Sequence, residues 1–113
     1  MIPTLYEQLR HWSEKGSVYI LSDLHFDDAD GKKPITRILD NEEYLQELDK
    51  KLNEEIAEYQ ADKSIEEMAD VLEVLFAICE ARGHSVEELM KIRNGKRENR
   101  GGFEKKIFWS GNE

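Results

Sequence analysis

The sequence predicts an all-α fold, an antiparallel helical bundle that forms oligomers and carries a short extended N-terminal segment. Apolar residues recur at helical spacing through most of the chain, and polar capping residues divide this region into separate helices. The length of 113 residues fits one compact domain, which a partner would help to complete. Within it we distinguish an atypical N-terminal helix and extended segment at residues 1–30 from a helical domain at residues 31–113.

The helical domain is expected to contain three helices. Asp40 is positioned to cap the first, whose opening turn is acidic. Ser64 and Ser85 each precede a glutamate by three residues, which is the capping-box pattern of a helix start. The three helices are expected to end near Gln60, Arg82 and Glu98.

The segments on either side of these helices have different patterns. The N-terminal part predicts a helix at residues 5–15, a short strand or extended segment at residues 18–21 and a loop at residues 22–34. Two glycines break the chain after the third helix. The apolar side chains of residues 103–109 are then expected to dock on the core or on a partner.

Charge and composition exclude several classes of protein. Lysine and arginine total 16 against 25 aspartate and glutamate, so the net charge is −9 and a nucleic-acid polymer is not the expected partner. No run approaches the roughly 18 apolar residues of a membrane span. The single cysteine, Cys79, excludes an intrachain disulfide and a multi-cysteine zinc site. We therefore expect a cytoplasmic protein.

Acidic residues on the first two long helices fall on their apolar sides. Glu55 lies within the apolar arc of the first helix, with Glu58 at its edge, and the second helix repeats this arrangement with Glu67 and Asp70. The short loop between the helices makes them antiparallel neighbours, so the two acidic pairs should face each other. Carboxylates that face the core need their negative charge to be compensated. Mg²⁺ or Mn²⁺, which prefer oxygen ligands, would supply the positive charge.

Each carboxylate taken alone also has a simpler explanation. Glu67 can complete the capping box of the second helix. Glu54 and Glu55 can form ion pairs with the lysines four residues before them. On spacing alone, the metal site and these local roles remain open alternatives for the set.

The same acidic residues resemble a known family signature. Residues 54–58 read Glu-Glu-Ile-Ala-Glu, and residues 67–70 read Glu-Met-Ala-Asp. This pattern resembles the E-E-x-x-E … E-x-x-D signature of the MazG-like all-α nucleoside triphosphate pyrophosphohydrolases, whose superfamily includes the phosphoribosyl-ATP pyrophosphohydrolases. The resemblance covers roughly residues 31–108 and includes further blocks at residues 32–40, 69–74 and 96–103.

The resemblance implies the metal-dependent hydrolysis of a nucleoside triphosphate to the monophosphate and pyrophosphate, including the clearing of non-standard nucleotides. It implies a MazG-like bundle that assembles as a homodimer or homotetramer, with Mg²⁺ or Mn²⁺ as cofactor. Glu54 or Glu58 is expected to orient the attacking water or accept its proton. The metal ligands that it implies are Glu55, Glu58, Glu67 and Asp70.

Basic residues are concentrated late in this acidic chain. Lys96 and Arg100 lie four residues apart on one face of the third helix, and they are the best candidates for binding substrate phosphate. A solvated helix end that complements the helix dipole is the simpler alternative for each of them.

The N-terminal segment resembles a second family. Asp23 and His25 follow an apolar extended run, as in the first metal motif of the calcineurin-like metallophosphoesterases, and they stand where the MazG-like subgroup usually has a different opening. The chain has no Gly-Asn-His motif to complete a two-metal phosphoesterase site, so a structural role is expected for this segment. The alternative to an enzyme is a non-catalytic helical oligomeric or regulatory module with the same fold.

Overall fold

A computed structural model describes residues 37–113, which form three α-helices joined by short turns. The helices are α1 (Asn41–Asp62), α2 (Ile65–Ala81) and α3 (Val86–Arg100). This part of the chain contains no strand, so the all-α prediction is confirmed for it. The predictions made for residues 1–36, including those for Asp23 and His25, lie outside the described residues.

The helix starts follow from side-chain capping. The Asp40 carboxylate accepts a hydrogen bond from the Glu43 backbone N–H at 2.9 Å, and the Ser64 hydroxyl accepts one from the Glu67 backbone N–H at 3.2 Å. Within residues 37–113, no hydrogen bond returns from the Ser64 backbone N–H to the Glu67 carboxylate. The capping box predicted for α2 is therefore only half formed, and the Glu67 carboxylate is directed elsewhere.

The start of α3 has the complete capping box. The Ser85 hydroxyl accepts from the Glu88 backbone N–H at 3.0 Å, and the Glu88 carboxylate accepts from the Ser85 backbone N–H at 3.2 Å. His84 also lies 3.4 Å from the Glu88 carboxylate. These contacts lower the pKa of Glu88, chiefly through the Ser85 backbone hydrogen bond and then through His84.

The first helix ends in a left-handed residue that the sequence pattern does not reveal. Lys63 has φ 59°, and its backbone N–H donates to the Tyr59 carbonyl at 2.7 Å, so α1 extends to Asp62 rather than Gln60. The other two ends differ from the predicted ones by one residue for α2, which ends at Ala81, and by two for α3, which ends at Arg100.

Helices α1 and α2 form an antiparallel pair. The side-chain amide of Asn41, at the start of α1, donates to the carbonyl of Ala81, at the end of α2, at 3.4 Å. The buried apolar core of the described residues consists of Leu48 on α1 and Val74 on α2, each 2% exposed. Helix α3 contributes no buried residue. Among residues 37–113, no helix has both the length and the apolar character needed to cross a membrane.

The capping box of α3 can be tested by removing its hydroxyl. We expect Ser85→Ala to lower the free energy of unfolding by about 1 kcal/mol, because an N-terminal backbone N–H of α3 loses its acceptor. Urea denaturation followed by circular dichroism measures this. Ser110→Ala is the matched control, because Ser110 is exposed and lies outside the helices. Equal stability of the two variants would contradict the capping role.

The lowered pKa of Glu88 predicts a pH-dependent contribution to stability. A carboxylate with a lowered folded-state pKa stabilises the protein above its ordinary pKa of 4.5 and loses that contribution as the pH falls through the lowered value. We therefore expect Glu88→Gln to be less stable than the wild type at neutral pH, with a difference that disappears in acid. A difference that is the same at every pH would contradict this.

Candidate metal centre

The centre of the site is a buried carboxylate on α1. Glu55 is 2% exposed, and Lys51, one helical turn before it, is 3% exposed. The Lys51 ammonium lies 3.4 Å from Glu55 Oε1 and 3.2 Å from the Glu54 carboxylate. The ion pairing that the sequence left as an alternative is thus present for Glu55. A charged pair buried to this degree has lost most of its hydration, so its remaining polar atoms need partners.

Two carboxylate oxygens at the α1–α2 contact lack such partners. Glu55 Oε2 and Glu67 Oε2 are both buried, and neither has a hydrogen-bond partner within residues 37–113. A buried acceptor without a partner costs about 1–3 kcal/mol, and more when it is charged. A bound ion or an ordered water at this position would supply the missing partner.

The two orphaned groups lie beside a third carboxylate. Glu55, Glu67 and Asp70 each offer an oxygen atom, and these oxygens all lie within 4.8 Å of one another. The oxygens around a Mg²⁺ ion, with bonds of about 2.1 Å, are about 3.0–4.2 Å apart. The three carboxylates could therefore close around a divalent cation with side-chain shifts of about an ångström.

Burial and mutual repulsion act on the same two glutamates. Burial, and then the neighbouring carboxyl group of Glu58, raises the pKa of Glu55 from its ordinary value of 4.5 to about 7, against the opposing effect of Lys51. Burial raises the pKa of Glu67 as well, with further repulsion from Glu58 and Asp70. Excess negative charge at this site is what a divalent cation would neutralise.

The structure brings together three of the four predicted metal ligands. Glu58 is not among the three residues whose oxygens all lie within 4.8 Å of one another, but its exposed carboxyl group acts on both Glu55 and Glu67 through charge and hydrogen bonding. Glu54, predicted as an alternative to Glu58 for orienting the attacking water, pairs with Lys51, and its side chain remains 37% exposed. Both are adjacent to the cluster without belonging to it.

The predicted phosphate-binding residues do not join this cluster. Lys96 and Arg100 are exposed on α3, and neither forms a hydrogen bond or ion pair within residues 37–113. Lys51 was not predicted to belong to the site. Its position next to Leu48, Leu52 and Glu55 on the inner arc of α1 was the signal that it enters the site.

Comparison with known proteins gives no family assignment for this chain, because no family model, no curated protein and no solved structure matches it. The pyrophosphohydrolase resemblance therefore stays a prediction from the motif residues. The metal centre is supported by the orphaned oxygens and by the spacing of Glu55, Glu67 and Asp70.

Cation binding should raise the thermal stability of the protein. In a titration with Mn²⁺ after treatment with EDTA, we expect the wild-type Tm to rise and saturate, because the ion binds only the folded site. Asp70→Asn should abolish most of this shift, because it removes one of the three charged ligands. Comparing each variant with its own metal-free form separates binding from any change in basal stability.

The matched control for this titration is Asp49→Asn, the same substitution on the exposed surface of α1. This variant should keep the full wild-type shift. An equal reduction of the shift in both variants would show that the cation acts through general surface charge, and it would contradict a specific centre.

Proposed function

We propose that the protein is a metal-dependent nucleoside triphosphate pyrophosphohydrolase that uses Mg²⁺ or Mn²⁺. The observation that supports this proposal best is the convergence of Glu55, Glu67 and Asp70, two of which have orphaned buried oxygens. Hard divalent cations bound by a few carboxylates are typical of enzymes that act on substrate phosphates. The motif resemblance supplies the nucleoside triphosphate as the substrate and pyrophosphate as the product, with non-standard nucleotides among the expected substrates.

The roles of the acidic residues follow from their positions. Glu55, Glu67 and Asp70 would hold the metal, which when bound supplies phosphate coordination and a more acidic water. Glu58 is the better candidate for accepting the proton of that water, because its exposed side chain borders the cluster. Glu54 is less suited to this role, since its carboxylate is paired with Lys51.

Lys51 gives the site a positive charge of its own. Its ammonium lies between the Glu54 and Glu55 carboxylates and keeps Glu55 Oε1 oriented, which leaves Oε2 as the oxygen without a partner. Lys96 and Arg100 are candidates for contacting the triphosphate, because neither has an anionic partner within the described part of the chain.

Pyrophosphate release from a panel of standard and non-standard nucleoside triphosphates, with and without Mg²⁺ or Mn²⁺, tests the proposal. We expect turnover only with metal. Glu58→Gln should lower kcat by about 10²–10⁴-fold if it is the proton acceptor. Glu55→Gln and Asp70→Asn should lose turnover together with metal binding, and Asp49→Asn should retain both.

Two results would contradict the proposal. One is the absence of turnover by the metal-loaded wild type on every nucleotide of the panel. The other is unchanged turnover in Glu55→Gln and Asp70→Asn, which would place the activity at another site.

The second candidate is a non-catalytic helical oligomeric or regulatory module. It is favoured by the Lys51 ammonium, which compensates part of the Glu55 charge without any metal. Nucleotide binding without release of pyrophosphate in the same panel would support it. Metal-dependent turnover would exclude it.

A further inference from the structure

Two apolar surfaces of the described chain are uncovered. The first, here called the α2 stripe, consists of side chains on one face of α2 that are 39–74% exposed: Ile65, Met68, Leu72 and Leu75. The second, called the C-terminal arm, is residues 103–109, which follow Gly101 and Gly102. Its large apolar side chains are 76–96% exposed: Phe103, Ile107, Phe108 and Trp109. Contiguous exposed apolar surface of this kind is typical of interaction sites.

We propose that the C-terminal arm of one chain packs on the α2 stripe of a second copy of the same chain, and that the second copy returns the contact. The two arms would cross between the protomers and form a closed two-fold dimer. An oligomer is what the motif resemblance already implies, and the proposal adds the two surfaces that form it. The stripe lies on a different face of α2 from Glu67 and Asp70.

The apolar core formed by residues 37–113 is small. Leu48 and Val74 are the buried apolar side chains of residues 37–113, and α3 buries none. Most of the stability of a helix in a protein comes from packing its apolar face, so three helices around two buried side chains need further burial. The α2 stripe is the surface of the helix pair that a partner would cover.

The C-terminal arm is not packed on the three helices of its own chain. Its side-chain hydrogen bonds within residues 37–113 join Arg97 to Glu104 and link Trp109 Nε1 to the Gly111 carbonyl and to Asn112 Oδ1. Neither contact buries the aromatic rings. The arm therefore presents its apolar side chains outward, as a segment that docks on another molecule does.

The charges of the two surfaces are complementary. Lys105 and Lys106 lie within the arm, and both are exposed. One border of the α2 stripe carries exposed glutamates at seven-residue spacing: Glu66, Glu73 and Glu80. An arm laid along the stripe brings its lysines next to this acidic border, which favours the contact and helps to fix its register.

The available area suits a stable dimer. An aromatic side chain buries about 150–250 Å², so the exposed side chains of one arm contribute about 600 Å². Two exchanged arms reach about 1,200 Å² before the two stripes are counted, and specific interfaces bury about 1,200–2,000 Å² in total. A two-fold arrangement uses the same two surfaces on both chains and closes without leaving either exposed.

Disulfide formation between two chains that carry different cysteine substitutions tests whether the arm of one chain packs on the α2 stripe of the other. Both chains carry Cys79→Ser; Cys79 donates to the Ser85 carbonyl at 3.4 Å, and serine keeps a donor there. One chain also carries Leu72→Cys and the other Phe108→Cys. After mixing and mild oxidation, we expect a disulfide between the two chains. A partner carrying Asp49→Cys in place of Leu72→Cys is the control, and it should not cross-link.

Sedimentation equilibrium supplies the second measurement. The wild type should be a dimer. Phe108→Ser should raise the dissociation constant of the dimer by about 30-fold or more, as expected for an aromatic side chain at the centre of an interface. Because Phe108 is exposed in the single chain, the helical circular dichroism of the monomer should persist.

Three outcomes would overturn the proposal. The first is a wild type that sediments as a monomer at micromolar concentration. The second is a Leu72→Cys, Phe108→Cys double variant that forms its disulfide only within one chain. The third is a dimer that Phe108→Ser leaves unchanged, which would mean that another surface forms the interface.

Discussion

The burial of the Glu55 carboxylate is the constraint on which the rest of the structure depends. A charged side chain that is 2% exposed must be compensated, and Lys51 compensates only one of its two oxygens. The same carboxylate lies close to those of Glu67 and Asp70, which add negative charge rather than remove it. The helix pair thus holds three neighbouring carboxylates with one lysine beside them, and a divalent cation could neutralise the excess negative charge.

The same arrangement accounts for the small core. Antiparallel packing of α1 and α2 places carboxylates where a typical helix pair would place leucines, so Leu48 and Val74 are left as the buried apolar side chains of the described residues. An interface made of charged groups contributes little to folding unless its charges are neutralised. Burial of the exposed apolar stripe and C-terminal arm in the proposed assembly would add apolar burial that the helix pair lacks.

Much of the local structure could be predicted from the sequence, since capping residues and apolar periodicity act within a few residues of each other. Spacing also placed Glu55, Glu67 and Asp70 on facing sides of two helices, which the structure brings together. The burial of Lys51 follows from its place on the inner arc of α1. The exposure of Glu58, at the edge of that arc, depends on how α1 is rotated about its axis, which spacing does not specify. The position of α3 depends on contacts that sequence periodicity does not specify.

Anomalous X-ray diffraction from crystals grown with Mn²⁺ would locate a cation at this site without assuming any activity. We expect one or more anomalous peaks within bonding distance of carboxylate oxygens from Glu55, Glu67 and Asp70, with Glu55 Oε2 among the ligands. Crystals grown in saturating Mn²⁺ that show no anomalous peak among these three carboxylates would contradict a metal centre there. Glu55 would then be compensated by its ion pair with Lys51.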